Sequence, residues 1–479
     1  MEIDALIRAL APTEVVGGRS VTIGDLSYDT RRISAGALFF CVPGDRVDGH
    51  DLAWEAIERG AAGLVVERIL DVDVPQLVVI STRESMAVAA DVFFGEPTKV
   101  LEVAGVTGTN GKTTTAFLLR SILAAAGRRP GLVGTVEWEV AGERRPAPFT
   151  TPEAIDLQRL FREMLDAGDR SAAVEASSHG AALRRLDRVR FDALVFTNLS
   201  QDHLDLHGSM DGYFNAKRRL FTGPAPPPAA VNVGDEWGRR LADQLADLHR
   251  APLVSFGITQ EAEIRPENLV LDAHGSRFRA AGIDIETRLR GEFNVENVLG
   301  AVAAGVLLDL DEDAIAEGIA TLDSVPGRFE AVDEGQPFAV VVDYAHTPDS
   351  LATVLSAARG LGPGRVIVVF GAGGDRDRGK RPLMGKIAAD LADVTIVTSD
   401  NPRSEEPVAI IQDVLQGTGM DVEIDPDRAG AIARAVSLAR DGDIVVIAGK
   451  GHEQGQEVNG VVTPFDDREV VRAALRSSS

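Results

Sequence analysis

Apolar runs that stop abruptly at glycine, hydroxyl or charged residues recur along this chain. In the C-terminal third, FAVVVDYAH, RVIVVFGAGGDR, VTIVTSDNPR and DIVVIAGKGHE each begin as a β-rich run and end in polar or glycine-rich residues. Between them, SLATVLSAARG and AGAIARAVSLAR read as helices. That alternation predicts a parallel sheet covered by helices on both faces. Ligands of such sheets bind beyond the carboxyl ends of the strands, and all four polar clusters fall there.

The same pattern divides the rest of the chain. ALFFCV, GLVVE and QLVVI predict strands near the N-terminus, with HDLAWEAIERGA a helix between them. Gly95 and Pro97 in GEPTK punctuate the chain next. LEVAGV then reads as a buried strand, and KTTTAFLLRSILAAAG as a helix ending at Gly127. SAAVEASS, DALVFTNLS and PAAVNVGD are further apolar runs stopping at polar residues, and the Pro-rich Thr222–Ala230 segment reads as a surface loop. A second boundary lies at SVPGRFE, near Pro326 and Gly327. The expected architecture is α/β in three domains, 1–98, 99–326 and 327–479. They are an N-terminal α/β domain, a central P-loop ATPase-type parallel sheet and a C-terminal Rossmann-like domain. A length of 479 residues agrees with three domains of roughly 150 each.

Composition narrows the function. The 49 basic and 73 acidic residues give a net charge of −24, which opposes nonspecific nucleic-acid binding but not a small anion held by a locally positive loop. The single cysteine, Cys41, excludes an intrachain disulfide and fits a reducing cytosol. MEIDALIRAL has no basic stretch before a long apolar core, so no secretory signal is expected. No apolar run approaches the roughly 20 residues of a membrane helix. A cytoplasmic monomer is the expectation.

The stretch GVTGTNGKTTT, Gly105 to Thr115, carries the first chemistry. The common phosphate-loop pattern needs a glycine where Val106 stands; Gly105 is one place early and Gly108 too late. A strand, a glycine turn and a helix opening at Lys112 still gather backbone N–H groups and a helix N-terminus around one point, which favours a phosphate chain. Lys112 would neutralise phosphates, and the Thr113 or Thr114 hydroxyl would hold Mg²⁺. Glu175 and His203, each after an apolar run, have the chemistry to complete a Mg²⁺ shell, although His203 serves equally well as a structural hydrogen-bonding residue. On pattern alone Lys217, beside Arg218 and Arg219, reads as a solvated helix lysine.

The form GTNGKTT resembles the Mur ligases and their folylpolyglutamate synthetase relatives, ATP-dependent enzymes that join an amine to a carboxylate. The resemblance implies that Gly108, Thr109, Asn110, Gly111, Lys112, Thr113 and Thr114 cradle ATP. It makes Glu175 and His203 Mg²⁺ contacts, and Lys217, downstream of NLSQDHLD, a carbamylated lysine acting as a carboxylate-like metal ligand. Asn294 and Asn297 in EFNVENVLGA match nucleotide-side asparagines. Arg328 of PGRFE would meet the phosphates, Asp343 the ribose, and His346 belongs to the same closing surface.

LSYDTRRISAGALFFCVPGDRVDGHDL resembles the uridine-nucleotide segment of the branch that adds the third residue of the peptidoglycan stem, at Tyr28, Thr30 and the turn Asp45-Arg46-Val47. Thr150, Thr151, Ser177 and Arg185 match further contacts to the UDP-N-acetylmuramoyl dipeptide; Leu183 stands where a glutamine is common. The tetrad Asp400-Asn401-Pro402-Arg403 marks family members that use meso-diaminopimelate. Its arginine can grip the second carboxylate, which lysine lacks, through two parallel hydrogen bonds. Arg376, Gly449 and Glu453 match the other amino-acid contacts, Glu453 for the distal ammonium. An L-lysine-adding ligase is the near alternative, opposed by Arg403, and a folylpolyglutamate synthetase the remoter one. From another class, a nucleotide-switched binding protein would need the loop but not Glu175, His203 and Lys217.

Overall fold

A computed structural model describes residues 1–18, 20–44, 47–272, 274–419 and 422–478. Three sheets, each with its own core, carry the α/β architecture read from the sequence. The first has five strands, in the order Glu14–Val16, Gln76–Val78, Ala61–Val66, Ala37–Phe40 and Asp25–Ser27. All pair in parallel except Glu14–Val16.

The second sheet has eight strands. Leu253–Phe256, Ala229–Asn232, Ala193–Phe196, Glu102–Thr107, Ser171–Glu175 and Pro130–Val133 run parallel. Glu137–Val140 and Glu143–Pro146 complete one edge as an antiparallel hairpin. The parallel strands are continuous apolar runs because helices bury both their faces. Ala229 and Ala230 open a buried strand, so only 222–228 of the Pro-rich segment is loop: the alanines pair with Leu194 and Val195.

The apolar pattern given above omits a three-stranded antiparallel meander, Glu267–Asp272, Gly275–Ala280 and Ile283–Thr287. Burial alternates strictly along its last strand, as period-2 side chains on a one-sided sheet require. Phe278, Ala280, Ile283 and Ile285 join the core containing Phe117 and Ile122 of the helix Lys112–Ala125. The meander thus backs the helix that follows the phosphate loop.

The third sheet orders Glu330–Ala331, Ala339–Asp343, Ile444–Ala448, Val366–Phe370, Val394–Val397 and Glu423–Ile424, parallel apart from the first. A hairpin, Gly455–Val458 with Val461–Pro464, stands beside it. Helices Lys112–Ala125 and Pro348–Gly360 start at strand ends of the second and third sheets. The two carboxyl ends meet, Asn110 of one bonding Asp349 of the other at 2.9 Å, which sets the position of the site.

Candidate active site

The strand Glu102–Thr107 lies between two parallel neighbours, so the turn after it emerges at the middle of the sheet. The turn needs glycine twice. Gly108 has φ +151 and a Cβ there would meet Thr197 Oγ1 at 1.9 Å; Gly111 has φ +85 and its Cβ would meet Asn297 Oδ1 at 2.2 Å. Asn198 binds the loop from the next strand end, its backbone O accepting from Thr109 N at 2.9 Å and its Oδ1 from Asn110 N at 2.9 Å. Thr197 Oγ1 donates to Asn110 O at 2.6 Å. A loop fixed this way keeps the first N–H groups of the following helix, which lack intrahelical acceptors, aimed at one point.

Two lysine side chains converge on that loop. Lys112 Nζ donates to Gly108 O at 2.9 Å and Thr109 O at 2.7 Å. Lys217 Nζ donates to the same Gly108 O at 2.8 Å. Lys217 is 1% exposed, so the solvated-lysine pattern is overturned: its helix, Met210–Arg218, turns this residue inward with Tyr213 and Phe214, and Nζ sits 4.7 Å from the Tyr213 ring centroid. No carboxylate pairs with it among the described residues. Burial, then the charge of Lys112, drives its amine well below the ordinary lysine range. Burial lowers Lys112 as well. At Lys217 an unpaired buried ammonium is costly, and the inexpensive state there is the neutral amine.

Glu175 ends its strand buried beneath the loop. Its Oε2 accepts from Thr113 Oγ1 at 3.1 Å and Thr135 Oγ1 at 2.9 Å, and its Oε1 from Thr135 N at 2.7 Å. Arg328 donates to Thr113 Oγ1 at 3.0 Å. His203, in a left-handed turn at φ +52, stays 41% exposed with Nε2 3.3 Å from Asp202 Oδ2. Desolvation, partly offset by Asp202, pushes its imidazole down to about 4. Among the described residues no three His, Cys, Asp or Glu side chains form a metal cluster. The Thr113–Glu175 oxygen pair nevertheless fits Mg²⁺, which takes few protein oxygens and keeps waters and phosphates as its other ligands.

One cavity of about 920 Å³ joins Lys112, Thr113, Glu175 and His203, but not Lys217, to groups far apart in sequence. Its walls include Thr150, Thr151, Ser177 and Arg185 of the central region, Asn297 from the helix Glu292–Leu307, and Arg328, Asp343, His346 and Arg376 from beyond residue 326. Thr151 Oγ1 donates to Glu175 O at 2.7 Å, and Arg185 to Thr151 O at 2.9 Å. Ser177 Oγ caps the short helix Ser178–Ala182 through Gly180 N. Leu183 is the residue that ends it.

Asn294 does not line this cavity; it holds the helix start, donating to Arg290 O at 2.8 Å and accepting from Asn297 at 2.9 Å. Both oxygens of Asp343 already accept backbone N–H groups, from Phe329 and Ala345, each at 2.7 Å. Burial raises its carboxyl to about 6. His346 faces the cavity, and Lys380 Nζ donates to its backbone oxygen at 2.9 Å.

The other sequence-derived positions sit apart from that cavity. Tyr28 donates to Asp156 at 2.5 Å, Thr30 is buried in a short 3₁₀ turn and Val47 is 55% exposed. Asp45 and Arg46 lie outside the described residues. At the third sheet, Asp400, Asn401 and Pro402 follow the strand Val394–Val397, and Arg403 has φ +54. Arg403 donates to Gly374 O at 2.7 Å, with Nε 3.5 Å from Glu457. Asn401 Nδ2 donates to Glu453 at 2.7 Å, and a Cβ on Gly449 would meet Asp400 at 2.5 Å.

Several site residues escaped the sequence reading. Thr135 shares Glu175, Asn198 shapes the loop, and Asp349 accepts from Asn110 Nδ2 at 2.9 Å and Ser200 Oγ at 2.8 Å. Lys450, fully buried in AGKGHE, bonds Asn401 and Glu453. Only Lys450 carried a local signal, a lysine between two glycines after an apolar run.

Comparison with known proteins agrees along the whole length. Residues 22–94 match the model "Mur ligase family, catalytic domain", 106–305 the "Mur ligase middle domain" and 327–451 the "Mur ligase, glutamate ligase domain". A relative from Solibacter usitatus (strain Ellin6076), named UDP-N-acetylmuramoyl-L-alanyl-D-glutamate--2,6-diaminopimelate ligase, is 47% identical, with 98% of this chain and 94% of the relative covered. One of the same name from Geobacillus kaustophilus (strain HTA426) is 45% identical over 99% of each. A solved structure of a ligase with that name superposes with a TM-score of 0.71 at 33% identity, covering 98% of this chain and 99% of that one.

Proposed function

This chain belongs to the Mur ligase family, and from that premise we propose that it adds meso-diaminopimelate to UDP-N-acetylmuramoyl-L-alanyl-D-glutamate at the expense of ATP, in the cytoplasm, as a step of peptidoglycan precursor synthesis. The observation that carries the reading is the single cavity shared by the phosphate loop, the Thr150–Arg185 group and the Arg328–Arg376 group. A reaction that brings a nucleotide triphosphate, a carboxylate and an amine together needs walls from all three directions. We assign residues 1–98 to the uridine-nucleotide end, 99–326 to ATP and 327–479 to the amino acid.

The loop from Gly108 to Thr114, with Asn297 and Arg328, holds ATP so that its terminal phosphorus faces the glutamyl γ-carboxylate bound along Thr150, Thr151, Ser177 and Arg185. Carboxylate oxygen attacks the γ-phosphorus, ADP leaves, and an acyl phosphate forms. The diaminopimelate amine then attacks the acyl carbon, loses a proton, and phosphate departs. Lys112 leaves the Gly108 and Thr109 carbonyls to meet the phosphates. Such catalysis is mostly positioning and charge neutralisation.

Mg²⁺ would be held by Thr113, Thr114, Glu175, His203 and a carbamate on Lys217, and when bound it neutralises phosphate charge. The neutral, buried Lys217 amine is the form that adds CO₂, releasing a proton and becoming an anionic oxygen ligand. Arg403 and Arg376 meet the distal carboxylate of diaminopimelate, and Glu453 its ammonium.

Phosphate release tests the reading. It should require ATP, the UDP-linked dipeptide and diaminopimelate together, and in an amino-acid panel lysine should support far less. Release with ATP and the dipeptide alone, or equal turnover with lysine, would refute it.

A further inference from the structure

Lys450 is a fully buried ammonium for which the reaction above has no use. It follows the strand Ile444–Ala448 and lies between Gly449 and Gly451. Its Nζ donates to Asn401 Oδ1 at 3.0 Å and to Glu453 Oε2 at 3.1 Å. Asn401 closes the triangle, its Nδ2 donating to the same Glu453 Oε2 at 2.7 Å. A fourth contact fixes which way the Asn401 amide faces: Glu457 N donates to Asn401 Oδ1 at 3.0 Å. With two donors on Oδ1 the amide cannot flip without placing NH₂ against N–H and ammonium.

Glu453 is held by one oxygen only. Oε2 takes both donors, whereas Oε1 has no hydrogen bond among the described residues, and the side chain is 31% exposed. Breaking a buried charge pair leaves the remaining partner uncompensated, so the ammonium and carboxylate hold one another in place. The neighbouring hairpin strand Gly455–Val458 draws Asp400 into the same group. Gln456 Nε2 donates to Asp400 O at 2.8 Å, and the lack of a side chain at Gly449 lets the backbone approach the Asp400 carboxylate.

We propose that Lys450 is the positioning residue of the amino-acid site: it orients the Asn401 amide and pins one oxygen of Glu453, so that the other is presented to the distal ammonium of the incoming diamino acid. This rests on the diaminopimelate-adding reading given above and adds to it a residue that touches no substrate. Lys450 acts on the ammonium end, which lysine and diaminopimelate share, and Arg403 on the carboxylate end, which they do not.

Steady-state kinetics on the full chain test it, with ATP, the UDP-linked dipeptide and diaminopimelate. Lys450→Met should raise the Michaelis constant for diaminopimelate about ten- to a hundredfold, the range of a lost hydrogen bond to a charged group. The constant for ATP and kcat should stay within about twofold. Glu453→Gln should do the same, and the double variant should be no worse than Glu453→Gln alone, because the two act through one contact. Additive losses in the double variant, or an unchanged constant in Lys450→Met, overturn the proposal. If Lys450→Met loses the native melting transition, Lys450→Arg decides. It keeps the charge but not the triangle, so a selective rise in the diaminopimelate constant supports the role and an unchanged constant refutes it. Wild type run in parallel separates the two failures: without diaminopimelate-dependent turnover the reaction itself is misassigned, whereas a working wild type with an indifferent Lys450→Met refutes only the positioning role.

Discussion

At the carboxyl end of the central sheet two amines, the half-buried Lys112 and the buried Lys217, share a carbonyl oxygen, whereas at the carboxyl end of the third sheet the buried Lys450 meets a carboxylate. Nearby cations repeat the contrast. Arg403 faces Glu457, and the fully buried Arg428 pairs with Asp467 at 2.6 Å, but no carboxylate pairs with Lys112 or Lys217 among the described residues. Both sheets gather polar groups at their strand ends, as parallel sheets do, yet at one end the lysines are left without a paired carboxylate and at the other the cations are matched one to one. A site awaiting a polyanion gains by leaving its lysines unpaired, because the ligand supplies the partner. A site that must read a diamino acid bearing charges of both signs gains by fixing acids and bases against each other beforehand.

The sharpest break in this comparison is at Lys217. Lys217→Ala should lower ligation at least about a thousandfold, the scale of removing a preorganised charge from an active site, and added formate or acetate should restore part of it in place of the carbamate. Near-normal turnover of the variant would remove Lys217 from the site. Next is Lys112→Ala, expected to cut acyl phosphate formation about a hundred- to a thousandfold while calorimetry finds the UDP-dipeptide affinity nearly intact. Lost dipeptide affinity would mean the loop serves more than the nucleotide.

At the balanced end the effect is smaller and confined to one substrate. Hydrogen bonds to charged groups contribute about 1.5–3 kcal/mol each, so Arg403→Ala should raise the Michaelis constant for diaminopimelate by about a hundredfold or more and leave that for ATP unchanged. An intact preference for diaminopimelate over lysine would clear Arg403 as selector. The smallest effect is on stability. Burial raises Asp343 from its ordinary range to about 6, so the folded chain binds a proton there before the unfolded chain does. That contribution grows as pH falls through about 6 and levels off below about 4. Melting from pH 8 to 5 should therefore show wild type gaining on Asp343→Asn; parallel curves would contradict the raised value.

What the sequence disclosed follows the same division. Strand ends, the phosphate loop and DNPR are local patterns, legible because apolar runs, glycines and charges fall within a few residues of each other. The depth of Lys217 was not legible: YFNAKRRLF puts three cations in a row, and only the helix orientation tells which one points inward. Thr135 and Asp349 carry no local signal, since their partners lie 40 residues away at Glu175 and 239 at Asn110. The meander was legible in principle, for GSRFRA and IDIET alternate, but the alternation is short and lies outside the parallel pattern around it.

Arg403 has one more consequence, for anyone wishing to move its selectivity elsewhere. Its backbone is stitched into the hairpin, Arg403 N donating to Glu457 O at 3.0 Å and Asn459 N to Arg403 O at 2.6 Å. These bonds make the residue a rung of that ribbon while its φ stays positive. Grafting the four residues DNPR into a lysine-adding relative would deliver the guanidinium without the rail that aims it. The portable unit is the tetrad together with residues 455–464, and a chimera carrying both should acquire the preference that the tetrad alone fails to confer.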